Sequence, residues 1–344
     1  MKAEIESITL ELAEPLVSSA GTVDERDLLL VCLEGEHGLV GWGEAAPLEP
    51  YDGVTIDRCR TALELQTAAL RAAPKSATGA ELLELARSAD DLPQAMAAID
   101  TALWDLAGQR DGVPLAELLS RDPSRKVPVN GVIGAETPVI AAQLASDLVA
   151  AGFTTLKVKV GTDDDIERLE AVRVAVGPRI ALRIDANGAW SLAEARARLA
   201  AMEPFGIEIA EEPVSGVDAL RELAQSTSTP IAADETSGLI GALAAAPTQY
   251  VCLKLGRAGG ISALLAQAAL VRSSGGEVYV ASMLDGPVGI AAAVHAAAAL
   301  RITTPCGLAT LDRFDGVDGG LLAPTGGEIT VPLGAGLGVG PAEA

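Results

Sequence analysis

The spacing of apolar and polar residues changes about a third of the way along the chain. From about Val127 onward, short β-branched stretches alternate with Ala- and Leu-rich stretches of helical period. The strand-like stretches are, in order, "VPVNGVI", "TLKVKVG", "ALRIDANG", "IEIAEEP", "PIAADET", "YVCLKLG", "EVYVASML" and "CGLATL". Intervening segments such as "TPVIAAQLASDLVAAG" and "SLAEARARLAAMEPFG" have Ser or Thr near the start and Gly at the end, as helices do. Seven or eight strand–helix units in succession predict a (β/α)7β barrel of the TIM type.

An open, doubly wound α/β sheet is the alternative, because alternation of strands and helices does not by itself show closure. The number of units favours the barrel. Before residue 126 the pattern differs, since "AEIESITLELAEP" and "DLLLVCLEGEHGLVGWGEAAP" predict strands and "PQAMAAIDTALWDLAGQR" predicts a helix. We therefore predict an α+β domain over residues 1–125 and the barrel over residues 126–321. The helical period ends there, so a tail of about residues 322–344 is expected to pack outside the barrel and to belong with the α+β domain.

The charge of the chain limits its partners. Forty-seven acidic and 25 basic residues give a formal charge of −22, which would repel nucleic acid and anionic membrane surfaces. The N-terminal "MKAEIESITLEL" lacks the apolar core of a signal peptide, and "GIAAAVHAAAAL" is too short to span a bilayer. These features predict a cytoplasmic protein whose partner is a small molecule. They leave the oligomeric state open, and a homo-oligomer is compatible with them.

Charged side chains recur where the predicted strands end. They are Lys157 and Lys159, Asp185 with Asn187, Glu211, Asp234, and Lys254. About one strand–helix unit separates each position from the next, and the carboxyl ends of barrel strands carry the catalytic groups in this architecture. We therefore expect these side chains to stand next to one another around the mouth of the barrel.

Three neighbouring carboxylates, from Asp185, Glu211 and Asp234, would repel one another unless a cation neutralised them. Hard oxygen ligands suit Mg²⁺, with Mn²⁺ as the alternative ion. Each residue also has a structural interpretation, as a turn residue, a helix start or an N-cap. A barrel that serves only as a scaffold would need all three to be structural, which their matched positions disfavour.

The lysines are candidates for proton chemistry. Lys157 and Lys159 project to the same face of a strand, so the charge of Lys157 disfavours the charged form of Lys159. Charges that protect an edge strand are the alternative, but a closed barrel has no edge. Lys254 could instead form a Schiff base, as in an aldolase, but that chemistry leaves the three carboxylates unexplained.

Taken together, the motifs resemble a known family. "KVK", "DAN", "EEP", "DE" and "LKLG" on successive strands are similar to the enolase superfamily and its muconate-lactonizing subgroup, and "GWGEAAPLEPYDG" and "GLGVGP" resemble its capping domain. The resemblance implies that Asp185, Glu211 and Asp234 bind Mg²⁺. It also implies that Lys159 and Lys254 flank a carboxylate substrate and that Lys157 supports Lys159. Residues 17–27 would form a mobile loop that closes over the site.

Within the subgroup, "CGLATLDRF" is similar to the "GL-x-TLD" segment of o-succinylbenzoate synthases, which act in menaquinone synthesis. This likeness predicts a dehydratase that removes an α-proton with the help of Mg²⁺. A dipeptide epimerase or an N-acylamino acid racemase is the alternative, although epimerases usually carry Asp-x-Asp where this chain has Thr310 and Asp312. Asp285 likewise stands where Glu or Ser is common. The candidate substrate-binding residues are Ser18, Ser19, Arg26, Asn187, Ser282, Asp285 and Thr310.

Overall fold

In a computed structural model that describes residues 1–18 and 21–341, the N-terminal part of the chain pairs an antiparallel sheet with helices. Its strands pair in chain order and are β1 (Lys2–Ser18), β2 (Gly21–Glu34) and β3 (Val40–Ala45). Its helices are α1 (Glu49–Asp52), α2 (Ile56–Ala72), α3 (Gly79–Ala89), α4 (Pro93–Asp111) and α5 (Leu115–Leu119). Alternate residues of β2, among them Leu29, Val31 and Leu33, are buried with residues of the helices in one apolar cluster. This arrangement confirms the predicted α+β capping domain.

Small residues allow β3 and α4 to pack closely. A Cβ atom on Gly43 would lie 1.9 Å from the carbonyl oxygen of Ala98, and one on Gly41 would lie 2.2 Å from that of Ala102. Any larger residue at either glycine would push the helix away from the sheet. The capping domain therefore reaches its packing density with glycine and alanine, in keeping with a chain of only 3% aromatic residues.

The rest of the chain supplies the barrel. Its strands are β4 (Lys126–Pro128), β5 (Gly131–Ile133), β6 (Thr155–Lys159), β7 (Ala181–Asp185), β8 (Ile207–Glu211), β9 (Ile231–Ala233), β10 (Tyr250–Leu253), β11 (Glu277–Val280) and β12 (Glu328–Thr330). Its helices are α6 (Pro138–Ala150), α7 (Asp165–Val176), α8 (Leu192–Met202), α9 (Val217–Ser226), α10 (Ala242–Ala245), α11 (Leu255–Ala258), α12 (Ile261–Ser273) and α13 (Pro287–Ala299). Local sequence sets boundaries: Ser191 and Glu194 form a capping box that starts α8.

Strands β5 to β11 form a parallel sheet in chain order, with seven strands in the described part of the chain. The backbone of residues 306–307 then bridges the two edges of this sheet. Cys306 N donates to the carbonyl oxygen of Pro128 at 2.8 Å, and Gly307 N donates to that of Val280 at 2.9 Å. The predicted (β/α)7β barrel is therefore confirmed, and "CGLATL" contributes its closing bridge.

The structure divides the predicted strand "VPVNGVI" in two. Its first half, β4, pairs antiparallel with β12 of the tail, and only its second half, β5, enters the barrel sheet. Further along the tail, Leu337 N donates to a carboxylate oxygen of Asp105 in α4 at 2.8 Å, and Leu115 N donates to the carbonyl oxygen of Gly336. We therefore propose that the tail belongs with the N-terminal domain. Across residues 1–18 and 21–341, no helix combines the length and apolar character that crossing a bilayer requires.

Of the segment expected to be a closing loop, residues 17–27, the described residues 17–18 and 21–27 belong to the paired strands β1 and β2. Backbone pairing between β1 and β2 continues to Ser18 and Gly21, after an irregularity in register between Glu11 and Leu16. Ser19 lies outside the described residues. Val23, on the returning strand, lines the cleft at the mouth of the barrel.

Candidate active site

Strand register places the charged side chains at one level of the barrel. Lys159 pairs with Asp185 on the neighbouring strand, and Asp185 pairs with Glu211 on the next. Asp234 and Lys254 directly follow β9 and β10. In a parallel sheet these positions share the carboxyl edge, so five charged groups from five adjacent strands meet at one end. All three carboxylates are buried.

Lys157 is buried between two of the carboxylates. Its Nζ lies 3.0 Å from Asp185 Oδ2 and 2.9 Å from Glu211 Oε1. Burial opposes the charge of this lysine, but the two carboxylates outweigh burial and raise the pKa of Lys157 above its ordinary value. Lys157 is therefore a cation held between two carboxylates beneath the mouth of the barrel.

Lys159 lies above Lys157 and faces the cleft. Its Nζ donates to Asp185 Oδ2 at 2.7 Å and to Asn187 Oδ1 at 2.8 Å. Asn187 is itself oriented by donating to Glu235 Oε1 at 2.9 Å. Burial works against the Asp185 carboxylate, yet the lysines at 157 and 159 hold the pKa of Asp185 well below its usual range. The Lys159 amine is thus aimed into the cleft by two partners.

Lys254 approaches the same cleft from the other side. Its Nζ forms an ion pair with Asp234 Oδ2 and contacts the hydroxyl of Tyr51 at 2.6 Å. Burial is the largest single influence and opposes its charge, but Asp234 and the other acidic neighbours together outweigh burial and raise the pKa of Lys254. Tyr51 comes from the capping domain, and its ring also lies 5.3 Å from the guanidinium of Arg257. The capping domain therefore contributes directly to the position of Lys254.

The carboxylates fit a hard divalent cation. Single ligand atoms of Glu211, Asp234 and Cys252 lie within 4.8 Å of one another. Asp234 Oδ1 is buried and accepts no hydrogen bond from any described residue, and the Arg257 guanidinium is 3.8 Å from it. Carboxylates are ordinary Mg²⁺ ligands, whereas a thiol is not. We therefore propose that Glu211 and Asp234, with Asp185 beside them, would hold Mg²⁺.

Two groups that sequence analysis missed support these carboxylates from behind. Tyr279 donates its hydroxyl to Glu211 Oε2 at 2.7 Å, and Glu212 accepts hydrogen bonds from the backbone N–H of Asp234 at 2.6 Å and of Thr236 at 3.0 Å. Burial, above all, raises the pKa of Glu212 to about 7. The "EEP" motif contained the signal for Glu212, because the second glutamate of a strand end must point away from the first. Nothing in "EVYV" distinguished Tyr279 from a core residue.

Three of the predicted substrate-binding residues line the cleft. Asn187, Ser282 and Thr310 do so together with Lys159 and Lys254.

Arg26 and Asp285 do not line the cleft. Arg26 donates to the carbonyl oxygens of Pro47 at 2.8 Å and Ala46 at 3.1 Å, and Asp285 accepts from Met283 N at 3.0 Å. Both are buried behind the wall of the cleft. The structure therefore gives them no contact surface for a substrate, and their predicted role in binding stays a prediction.

A barrel of this kind, with opposed lysines and a carboxylate cluster under a capping domain, has the architecture of an enzyme whose site lies at the carboxyl ends of the strands. The comparison with known families agrees. The chain belongs to the enolase superfamily: the family "Enolase C-terminal domain-like" matches residues 140–344, and "Mandelate racemase / muconate lactonizing enzyme, N-terminal domain" matches residues 2–120. The resemblance predicted from the strand-end motifs is thereby confirmed.

Its relatives include epimerases and racemases. The chain is 32% identical to the L-Ala-D/L-Glu epimerase of Bacillus subtilis, over 98% of this chain and 96% of that protein. A dipeptide epimerase from Enterococcus faecalis, solved with Mg and the dipeptide L-Leu-L-Tyr, superposes with a TM-score of 0.89 at 30% identity and 98% coverage of both chains. The N-succinyl-L-Arg/Lys racemase of Bacillus cereus is 28% identical over 87% of this chain and 84% of that protein. These relatives support the racemase or epimerase alternative more than the dehydratase of menaquinone synthesis.

Proposed function

We propose that the protein is a Mg²⁺-dependent racemase or epimerase that inverts the α-carbon of an N-substituted amino acid. The observation that carries this proposal is the placement of two amines on opposite sides of one cleft. Lys159 contacts Asp185 on one side of the carboxylate cluster, and Lys254 contacts Asp234 on the other. Three strands of the sheet separate the two lysines. Inversion needs one group to take a proton from one face and another to deliver a proton to the opposite face.

The roles of the residues follow from this geometry. A bound Mg²⁺ would supply positive charge that stabilises the enediolate formed when the α-proton leaves. Lys159 takes the α-proton from one face, and the Lys254 ammonium, held by Asp234 and Tyr51, delivers a proton to the other. For the opposite enantiomer the two lysines exchange roles. Lys157 stays charged between Asp185 and Glu211 and keeps those carboxylates in place.

The test is proton exchange at the α-carbon in D₂O, followed by ¹H NMR and by chiral chromatography. Wild-type protein with Mg²⁺ should exchange and invert its substrate. Lys159→Met and Lys254→Met should each reduce the rate of inversion by about 10²- to 10⁴-fold. Each variant should still exchange the α-proton of the enantiomer that its remaining lysine attacks. Lys126→Met, a lysine in an exposed ion pair with Glu328, is the matched control and should behave as wild type.

Two results would count against the mechanism. If both enantiomers continued to exchange after loss of Lys254, that residue would not be the second base. If borohydride trapped a carbonyl substrate on Lys254, Schiff-base chemistry would replace proton transfer. A dehydratase is the second candidate, because the "GLATLDRF" segment places Thr310 in the cleft. It would need only one lysine as base, so Lys254→Arg would retain turnover in a dehydratase and lose inversion in a racemase.

A further inference from the structure

The cleft also contains a cation, Arg313, that the proposed reaction does not use. Val132, Ser282, Gly307 and Thr310 line the cleft together with it. Arg313 follows the segment that closes the barrel, so it is fixed by the same backbone that bridges the two edges of the sheet. Its position is therefore set by the barrel itself.

Arg313 has donors to spare. Its Nη2 donates to the carbonyl oxygen of Val132 at 2.8 Å, and a guanidinium carries five N–H donors. The carboxylates of Asp312, Glu136 and Glu14 act on its charge from a distance, but within residues 1–18 and 21–341 none of them forms an ion pair with it. Asp312 is exposed and does not line the cleft. The guanidinium is thus a half-buried cation without a matching anion.

Two residues that line the cleft with Arg313, Thr310 and Ser282, are neutral. Thr310 donates its hydroxyl to Ser282 Oγ at 3.2 Å, and the carboxylates that line the cleft, Asp185 and Asp234, are engaged by Lys159 and Lys254. A substrate ammonium placed beside Thr310 would meet a like charge on Arg313, and both carboxylates that line the cleft already hold a lysine. A carboxylate placed there would receive charge-assisted hydrogen bonds from the guanidinium.

We propose that Arg313 is a specificity-determining residue that binds a second carboxylate of the substrate, remote from the reacting carbon. The substrate class is a dianionic N-acylamino acid, and a dipeptide with a free ammonium group is a poor substrate. The second carboxylate belongs either to the acyl group or to the amino acid side chain. The inference rests on the proposed function, because it assigns the substrate of the same site.

The test compares four substrates by α-proton exchange in D₂O with the wild-type protein and Mg²⁺. N-succinyl-L-phenylalanine carries the second carboxylate on the acyl group, and N-acetyl-L-glutamate carries it on the side chain. N-acetyl-L-phenylalanine carries none, and L-Ala-L-Phe carries an ammonium. At least one dianionic substrate should exceed the monoanion N-acetyl-L-phenylalanine in kcat/KM by about tenfold to a hundredfold, and the better of the two dianions identifies the source of the carboxylate.

Variants of Arg313 separate recognition from catalysis. Arg313→Met should reduce the dianion preference to less than about threefold, mainly through a higher KM, and Arg313→Lys should retain part of it because it keeps the charge. Thr310→Asp should raise kcat/KM for L-Ala-L-Phe, since it places a carboxylate next to the substrate ammonium. Arg272→Met is the matched control, because that arginine also donates to one backbone carbonyl but lies outside the cleft.

The outcomes distinguish this inference from the proposed function. If the wild type exchanges L-Ala-L-Phe or N-acetyl-L-phenylalanine at least as fast as both dianions, the role of Arg313 is refuted and the racemase proposal stands. If Arg313→Met leaves a strong dianion preference intact, another residue binds the carboxylate. If none of the four substrates exchanges, the proposed function fails, and the inference fails with it. The wild-type comparison decides the matter even where a variant does not fold.

Discussion

The buried cation Lys157 gives a quantitative test of how the carboxylate cluster is balanced. Its ammonium lies 3.0 Å from Asp185 and 2.9 Å from Glu211, and all three side chains are nearly inaccessible to solvent. Lys157→Met keeps the volume of the side chain and removes the charge, which leaves two carboxylates buried without their shared partner. Breaking a buried ion pair from one side costs about 3–5 kcal/mol of unfolding free energy. We expect a loss of that size in EDTA at pH 7.

A metal ion should reduce this loss. If Mg²⁺ binds among the same carboxylates, its charge replaces the charge that Lys157→Met removes. Binding only the native state, at about 100 times its dissociation constant, adds about 2.7 kcal/mol to either protein, so the difference between them falls because the variant, with one cation fewer, binds the ion more tightly. The difference in unfolding free energy between wild type and Lys157→Met should therefore be smaller in saturating Mg²⁺ than in EDTA, by at least about half. Urea unfolding, followed by far-UV circular dichroism and by the fluorescence of the buried Trp190, measures both values.

The control is Lys126→Met, which breaks an exposed ion pair with Glu328 at a similar distance of 3.0 Å. Exposed pairs contribute about 0–1 kcal/mol, so this variant should lose little in either condition. A loss for Lys157→Met no larger than that of the control would refute the balance of charge described here. A large loss that Mg²⁺ leaves unchanged would show that the ion does not bind these carboxylates.

Two further predictions concern the packing of the C-terminal tail. Burial lowers the pKa of His295 to about 4, so between pH 6.5 and 4 the folded protein binds fewer protons there than the unfolded chain. The neutral imidazole therefore contributes unfolding free energy that is fully present above pH 6.5 and is lost as the pH falls toward 4. His295→Gln should remove about 3 kcal/mol of the dependence of unfolding free energy on pH in that window, and an unchanged slope would contradict this. Gly336→Ala should lose more than about 2 kcal/mol of unfolding free energy in urea, because its Cβ would lie 1.9 Å from Asp105 Oδ1. Gly340→Ala is the control, since its Cβ would meet nothing within 4 Å, and equal losses for the two variants would refute this packing of the tail.

The site residues that the sequence could identify are charged residues that recur about once in each strand–helix unit of the barrel. Lys159, Asp185 and Glu211 each end a strand and Asp234 directly follows one. Parallel strands bring their carboxyl ends to one edge, so spacing alone places these residues together. Cys252 lies two residues before Lys254 on the same face of its strand, so its place beside Glu211 and Asp234 follows from the same alternation.

The remaining site residues depend on contacts that no local pattern reports. Tyr51 reaches Lys254 from 203 positions away and from another domain, so neither segment predicts the other. The separation of β4 from β5 has the same origin, because β4 leaves the barrel to pair with a strand about 200 residues later in the tail. Arg26 also depends on distant contacts. It lies at a predicted loop, and its guanidinium donates to the backbone carbonyls of Pro47 and Ala46, so its role in substrate binding stays a prediction.

The overall charge of −22 and an anionic substrate are reconciled by distance. Charges on the surface are screened within about 8 Å at physiological ionic strength, so most of the acidic residues act only weakly inside the cleft. The groups that face the cleft include the cations of Lys157, Lys159, Lys254 and Arg313, and they act in a medium that screens them less. The carboxylates of the site hold three of these cations, so a metal ion that binds those carboxylates tips the local balance further toward positive charge. An acidic chain can therefore present a cleft that attracts carboxylates, provided that its cations lie inside the barrel and its excess of acids lies outside.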